Sequence, residues 1–251
     1  MTDLDRRTLL IGGSALLGLA LSSSACSRTE VVKERPKSRS EVAFGGALAG
    51  GEVSQDEWDA MVAVTSSAAY KILVKDCKGR ALGSGSGFNI GQYVVTNRHV
   101  VDEAERITLL SPDDSEIEVE RWAMASNDDL ALLEPSESLG ATKVVLAPVD
   151  PVSGDLVASV GFPLGGEKTT RRARILKRLD DQDYSETYAL TTTASVQPGD
   201  SGGVLVNAQG EVVAVTTAIA LKDNVSIGVP VSRVHRLLST ADFRYSSDIC
   251  G

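Results

Sequence analysis

The sequence predicts an all-β protein, built as a sandwich or as barrels, behind an N-terminal leader. From about residue 68 onward, apolar residues fall in short runs bounded by Gly, Pro, Asp or Asn, and each run suits one strand. These runs recur at the short spacing that is typical of antiparallel strands. Apolar residues at helical spacing occur only before the first run and after the last, so helices are predicted only there. Composition alone does not choose between a sandwich and barrels.

Residues 1–25 have the layout of an export signal peptide. Arg6-Arg7 precedes an apolar run over residues 9–21, and small residues follow up to Ala25. The run is too short for a membrane-spanning helix. The paired arginines resemble a twin-arginine export signal, and the general secretory route stays open. We therefore expect an exported protein of the cell envelope.

Cys26 follows three serines and an alanine, a pattern that resembles a bacterial lipoprotein box. In that interpretation Cys26 is lipidated and begins the mature chain, which anchors the protein to a membrane surface without a spanning helix. The alternative is cleavage near Ala25 that leaves a free thiol and a soluble secreted or periplasmic protein. Residues 26–53 are predicted to be a flexible tether, because their charged residues, Pro, Ser and Gly cannot bury enough apolar surface to fold.

A helix is predicted to begin directly after the tether. Ser54 and Glu57 have the spacing of a capping box. Trp58, Met61 and Val62 follow at helical spacing, so one face of this helix is expected to be buried.

Twelve strands are predicted in two sets of six, separated by a turn-rich segment at residues 147–155. The first set covers residues 70–74, 86–89, 92–96, 107–110, 116–123 and 130–134. The second set covers residues 156–161, 172–179, 189–193, 204–206, 212–218 and 226–230. A closing helix is predicted over residues 231–240. Residues 54–251 are numerous enough to form one structural unit with a sizeable core.

Charge and cysteine content narrow the possible partners. The formal net charge is −9, and an acidic surface repels phosphate backbones, so no nucleic-acid partner is expected. Cys77 and Cys250 could pair in an exported protein, but their sequence positions give no distance, so this disulfide stays open. No metal site and no cofactor are predicted.

The segment Gly199-Asp200-Ser201-Gly202-Gly203 places a serine in a glycine-rich turn. A serine hydroxyl is a weak nucleophile unless a base takes its proton. Glycines let several backbone N–H groups converge on one point, as stabilisation of an oxyanion requires. His99 and Asp129 lie upstream and can serve as base and acid, in the order His, Asp, Ser.

Two other side chains compete for these roles. Asp128 is the alternative acid, but Asp129 directly precedes the apolar strand, and side chains alternate along a strand. Asp129 is therefore preferred, and Asp128 is predicted to be a solvated turn residue. His235, the second histidine, lies in the basic closing helix and is predicted to be a surface residue.

Five segments in this order resemble the trypsin-like serine proteases, and among them the bacterial HtrA/Deg-like branch. They lie between about residues 68 and 238 and comprise residues 83–88 leading into 93–101, 129–133, 157–165, 197–203 and 224–230. The resemblance implies two six-stranded antiparallel β-barrels, over about residues 66–147 and 155–232. It also leads us to expect no PDZ domain after the protease region, because the chain has no room for one.

The resemblance implies a catalytic triad. His99 is the general base, Asp129 orients it, and Ser201 is the nucleophile. The backbone N–H groups of Gly199 and Ser201 are the implied oxyanion donors. Other members of the fold pair the acid before the nucleophile with a new amino terminus, and no matching start sequence is present, so Asp200 has no predicted partner.

The resemblance also implies a substrate pocket. Ser195 lies at its floor, where an acid would select Arg or Lys. Thr217, Ala218 and Ile219 lie in its wall, and the branched side chain of Ile219 narrows the entrance. The expected P1 residue is therefore small or medium-sized and apolar.

The predicted function is an exported, membrane-anchored serine endopeptidase that cleaves polypeptides in envelope protein quality control or regulated proteolysis. One alternative is a catalytically idle binding or chaperone module, which the intact His99, Asp129, Ser201 and Gly199 disfavour. Another is an esterase with the same triad, which the chain order and the strand pattern disfavour.

Overall fold

The structure is a computed structural model, and it describes residues 53–250 except 112, 141, 180–188 and 221–224; at residues 218–220 it describes the backbone alone. The predicted leader, Cys26 and the tether up to residue 52 lie outside the described residues. Within the described ranges, no helix is both long enough and apolar enough to cross a membrane.

Helix α1 (Gln55–Ser67) begins at the predicted capping box. The Ser54 hydroxyl accepts the Glu57 backbone N–H at 3.2 Å, and the Glu57 carboxylate accepts the Ser54 backbone N–H at 3.0 Å. These bonds satisfy backbone groups that a helix end otherwise leaves unpaired. Trp58 and Met61 are buried, as their spacing predicts.

Six antiparallel strands close the first barrel in the spatial order β1-β2-β3-β6-β5-β4. The strands are β1 (Ala69–Lys75), β2 (Ala81–Asn89), β3 (Val94–Thr96), β4 (Arg106–Leu110), β5 (Glu116–Met124) and β6 (Ala131–Pro135). The barrel interior is filled by Ile72, Val94, Leu109, Trp122 and Leu133, none of which reaches solvent. A one-turn helix, α2 (Arg98–Val101), follows β3.

The second barrel closes in the same way, in the order β8-β9-β10-β13-β12-β11. A short strand, β7 (Val145–Leu146), precedes it and pairs in parallel with β12. The barrel strands are β8 (Leu156–Gly161), β9 (Thr169–Leu179), β10 (Ala189–Thr192), β11 (Val204–Val206), β12 (Glu211–Ala220) and β13 (Val225–Pro230). Val157, Ile175, Leu190, Leu205 and Val213 are buried inside it.

A third group of buried residues joins the two barrels. Phe88 and Leu130 of the first barrel share one apolar cluster with Val160 and Val215 of the second. Burial of this shared surface removes apolar area from water and fixes one barrel against the other. The side chains that lie at this junction are therefore held in a defined geometry.

The chain then returns to the first barrel. Helix α3 (Val231–Thr240) is followed by β14 (Arg244–Tyr245), which pairs with β5, and by α4 (Ser247–Cys250). Cys250 forms a disulfide with Cys77, with 5.5 Å between the two Cα atoms. The structure thus forms the disulfide that the sequence left open, and it adds α2, β7, β14 and α4 to the predicted elements.

The main departure from the predicted strands is the start of β2, which begins at Ala81 rather than near residue 86. Its glycine-rich first half pairs with β1 along its length. A Cβ at Gly85 would lie 2.6 Å from the Val100 side chain, and a Cβ at Gly87 would lie 2.7 Å from that of Val94. These glycines therefore permit close packing within a strand, a role that composition does not distinguish from a turn.

Candidate active site

His99 and Asp129 lie side by side at the junction of the barrels. Helix α2 carries His99 just after β3, and Asp129 lies just before β6, the strand that pairs with β3. The Asn97 side-chain amide donates to the Asp129 carbonyl at 2.8 Å, which ties the two segments together. The Asp129 carboxylate accepts the His99 backbone N–H at 2.9 Å, and its other oxygen lies 2.7 Å from His99 Nδ1. The carboxylate therefore fixes both the position and the orientation of the ring.

The charged form of Asp129 is favoured by its surroundings. Burial alone would raise the pKa of this carboxyl group, but hydrogen bonds from the His99 ring, the Thr217 hydroxyl and the His99 backbone, together with the charge of His99, outweigh it. The pKa of Asp129 consequently lies below its ordinary value. An ionised Asp129 can hold the proton on His99 Nδ1 and leave Nε2 free to accept another.

Thr217 connects this pair to Ser201. Its hydroxyl donates to the Asp129 carboxylate, and its backbone carbonyl accepts the Ser201 hydroxyl at 3.2 Å. The pairing of β12 with β13 shifts register between Thr216 and Ala218, so Thr217 is a bulge residue. A bulge changes the direction of a side chain relative to regular alternation. The bulge accounts for the contact of Thr217 with the acid.

The glycine-rich segment before Ser201 forms a tight turn. The Asp200 N–H donates to the Gln197 carbonyl at 3.0 Å, and Gly199 has a φ of +95°. With Pro198 second and a positive φ third, this is a type II arrangement. The Pro198 carbonyl accepts the Leu164 N–H at 2.6 Å, which holds that peptide group in one orientation.

Two backbone donors are left unused by this turn. In the described part of the chain, neither the Gly199 N–H nor the Ser201 N–H has a protein acceptor. Such unpaired N–H groups beside a serine hydroxyl can stabilise an oxyanion. Gly199 is required here, since a Cβ on it would lie 2.6 Å from the Phe162 carbonyl oxygen.

Ser86 is a residue of this site that the sequence did not identify. It lies on β2 of the first barrel and is 1% exposed. Its N–H donates to the Ser201 carbonyl at 2.7 Å, and its hydroxyl donates to the Gly199 carbonyl at 2.7 Å. The same hydroxyl accepts the Phe162 N–H at 2.9 Å. Through these bonds, Ser86 on a strand of the first barrel holds the serine turn of the second barrel in place. In the sequence, its only signal was a serine flanked by glycines.

Asp200, for which no partner was predicted, has two. Its carboxylate accepts the Gln197 backbone N–H at 2.9 Å and lies 3.2 Å from the Arg171 guanidinium. Asp200 is 1% exposed, so this pair is formed away from water.

The neighbouring candidates fall outside the site. The prediction that Asp128 is solvated is wrong, because Asp128 is buried and lies 3.7 Å from the Arg233 guanidinium. A buried carboxylate needs a charged partner, and closing helix α3 supplies one. His235 is exposed, as predicted, and its Nε2 lies 2.9 Å from the Ala147 carbonyl.

The residues predicted to form the pocket divide into three cases. Ser195 is exposed, while its neighbours Ala194 and Val196 are buried in the second barrel. The Thr217 side chain is hydrogen-bonded to Asp129 and does not project freely into a pocket. The side chains of Ala218 and Ile219 lie outside the described residues.

No group of three or more His, Cys, Asp and Glu side chains that could hold a metal occurs within the described ranges.

Two closed antiparallel barrels, with a His–Asp pair on one and a serine turn on the other, define a chymotrypsin-like protein. Comparison with known proteins agrees. The model of the trypsin-like peptidase domain matches residues 83–215, which is more than half of the chain. The protein belongs to the trypsin-like peptidase domain family.

Its relatives are HtrA- and DegP-type proteases. The chain is 33% identical over 156 residues to a probable periplasmic serine protease do/HhoA-like of Haemophilus influenzae, covering 60% of this chain and 33% of that protein. It is 32% identical over 152 residues to the periplasmic pH-dependent serine endoprotease DegQ of Escherichia coli, covering 59% of this chain and 33% of that protein. The match thus spans about one third of these relatives.

Solved structures share the fold. The inactive form of the Rv3671c protease superposes with a TM-score of 0.63 at 27% identity, covering 76% of this chain and 97% of that one. The active form, from M. tuberculosis, gives a TM-score of 0.65 at 24% identity, covering 77% and 92%. The likeness to the active form shows the fold alone.

Proposed function

We propose that the protein is a serine endopeptidase that hydrolyses peptide bonds with His99, Asp129 and Ser201. The observation that carries this proposal is the double contact of Thr217, whose hydroxyl bonds to Asp129 and whose carbonyl bonds to the Ser201 hydroxyl. Through Thr217, the acid–base pair of the first barrel and the hydroxyl of the second barrel meet at one residue.

In the proposed reaction, the Ser201 oxygen attacks the substrate carbonyl carbon while His99 Nε2 takes the hydroxyl proton. The Ser201 hydroxyl first leaves the Thr217 carbonyl by rotation about its Cα–Cβ bond; catalytic hydrogen bonds are often long before substrate binds. The oxyanion is stabilised by the N–H groups of Gly199 and Ser201. His99 then gives its proton to the leaving amine, and water hydrolyses the acyl-enzyme by the reverse roles.

The proposed substrates are polypeptides with a small or medium-sized apolar P1 residue. Ser195 provides no negative charge that would select Arg or Lys. Its side chain is exposed, which supports a pocket residue that a substrate can reach. One methylene changes discrimination by only about 1–3 kcal/mol, so the preference should be graded. A peptide library profile dominated by Arg or Lys at P1 would contradict this assignment.

We further propose that the protease works in the cell envelope. In this arrangement residues 1–25 direct export, residues 26–53 are the tether, and residues 54–251 form the protease domain. The relatives are named periplasmic proteases, which supports an exported protein. Lipidation of Cys26 would hold it at a membrane surface, where it acts in protein quality control or regulated proteolysis.

A fluorophosphonate probe tests the chemistry, because it reacts with an activated serine. We expect labelling and hydrolysis of an unfolded protein such as casein by the wild type, with neither in Ser201→Ala or His99→Ala, since triad residues act as a unit. Ser239→Ala, on the exposed side of α3, is the matched control and should behave as the wild type. A wild type that is neither labelled nor active would instead be an idle module.

Mass spectrometry of the mature amino terminus tests the location. We expect a chain that begins at a lipidated Cys26 and is recovered with membranes. Cys26→Ser should release the protein while hydrolysis by the purified enzyme stays unchanged. An unmodified wild-type terminus in the soluble exported fraction would make it a free protease.

A further inference from the structure

We propose that Arg171 is a positioning residue that keeps the turn before Ser201 in its open, oxyanion-binding form by pairing with Asp200. This inference rests on the proposed serine protease function. Arg171 is a side chain of the same domain as this carboxylate, so ordering the turn requires no newly formed amino terminus.

The starting observation is that Asp200 is buried as a charged group. Its side chain is 2% exposed, and the guanidinium of Arg171 lies 3.2 Å from one carboxylate oxygen. The other oxygen, Oδ1, has no hydrogen-bond partner among the described residues. A buried carboxylate is costly unless a cation compensates it, and in the described ranges Arg171 is the cation in contact.

The second observation is where the carboxylate lies. A Cβ on Gly161 would be 2.6 Å from Asp200 Oδ1, so the carboxylate fits against β8 only because that strand has a glycine there. Arg171 reaches it from β9, where it is directly opposite Ser159 of β8. The Arg171 side chain is 22% exposed, so a strand of the barrel presents the guanidinium from a defined position.

The third observation links the carboxylate to the oxyanion donors. The oxygen that contacts Arg171 also accepts the Gln197 N–H at 2.9 Å, and Gln197 is the first residue of the turn. Gly199 and Ser201 are the chain neighbours of Asp200. Without Arg171, the charged carboxylate has a lower free energy in water than in its buried position, so it should move toward solvent. The backbone that moves with it carries both oxyanion donors.

Because the oxyanion exists only in the transition state and the intermediates, loss of Arg171 should lower kcat rather than raise KM. For Arg171→Met we expect kcat to fall about 10²–10³-fold, the range seen when one oxyanion donor is lost. Lys177→Met is the matched control: Lys177 is an exposed cation on the same strand, and its loss should leave kcat within about 2-fold of the wild type, as expected of a surface substitution.

Three measurements separate a positioning role from simple loss of folding. First, a peptide aldehyde with a small P1 residue forms a tetrahedral adduct with Ser201, and its affinity should fall in parallel with kcat. Second, Asp200→Asn combined with Arg171→Met should be no less active than Arg171→Met alone, because removing both partners leaves no unpaired charge. Added methylguanidinium should also restore part of the activity of Arg171→Ala.

The inference is overturned if Arg171→Met remains folded with wild-type kcat, or if its loss appears in KM alone. It is also overturned if Arg171→Met fails to fold and neither the double variant nor methylguanidinium restores activity, because Arg171 is then only structural. These failures differ from failure of the protease proposal, in which the wild type would be neither labelled nor active, or Ser201→Ala would keep the wild-type activity.

Discussion

At the scale of single residues, Thr217 connects Asp129 of the first barrel to Ser201 of the second through two hydrogen bonds. Thr217→Val removes its hydroxyl from the Asp129 carboxylate while keeping the branched shape. A hydrogen bond to a charged group contributes about 1.5–3 kcal/mol, so we expect kcat/KM to fall roughly 10- to 100-fold. Thr217→Ser keeps a hydroxyl and should recover most of the activity. Equal activity of the valine and serine variants would exclude a role for this bond.

Asp129 should also make stability depend on pH. Its folded pKa lies below its ordinary value, which is about 3.9 in an unfolded chain. Its ionised form therefore stabilises the fold fully above that value, and this contribution is lost as the pH falls through the lower folded pKa. The urea midpoint of the wild type should exceed that of Asp129→Asn at pH 6, and the difference should shrink below about pH 4. A difference that is independent of pH would contradict this.

At the scale of elements, the turn before Ser201 depends on one glycine. Alanine at Gly199 would place a Cβ 2.6 Å from the Phe162 carbonyl oxygen, at a φ of +95°. Backbone atoms cannot move aside cheaply, so the turn should deform and kcat should fall about 10²–10³-fold. Gly83→Ala is the control, since a Cβ there meets no atom within 4 Å. Its kcat should be unchanged, and a Gly199→Ala enzyme with full activity would show that the turn tolerates a side chain.

The helices and strands differ in how far they could be predicted from the sequence. The capping box at Ser54, the twelve barrel strands and α3 follow from local patterns of capping residues and apolar runs. The bulge at Thr217 and the strand character of residues 81–85 did not follow, because both are set by pairing with distant strands. The contact of Arg171 with Asp200 could not be predicted for the same reason: β9 and the turn meet only after the barrel closes.

At the scale of the whole molecule, the choice of two barrels came from resemblance to a family, since a sandwich gives similar runs. The sequence motifs named His99, Asp129 and Ser201, because their neighbours in the chain are distinctive. For Ser86 they offered only a serine flanked by glycines, because its three hydrogen bonds to the second barrel depend on how one barrel sits against the other.

The disulfide links residues that are 173 positions apart and fixes the returning segment to the β1–β2 turn of the first barrel. Such a link restricts the unfolded chain, and its loss from a small exported domain costs about 2–5 kcal/mol. We expect Cys77→Ser with Cys250→Ser to lower the free energy of unfolding by about this amount. Urea unfolding of the double variant beside the wild type measures it, and equal midpoints would mean that the link does not contribute.

The segment from Phe243 to Cys250 is the last part of the described chain to be synthesised, after every strand of the second barrel. Its Phe243 ring stacks on Tyr93 at 5.3 Å, and the Arg244 guanidinium lies 4.9 Å from the centre of the Trp122 ring. Domains generally fold from the amino terminus during synthesis, so the first barrel exists for a time without the Phe243 ring over Tyr93. A truncated chain would keep this face of Tyr93 exposed, and that surface would distinguish an unfinished chain from a complete one.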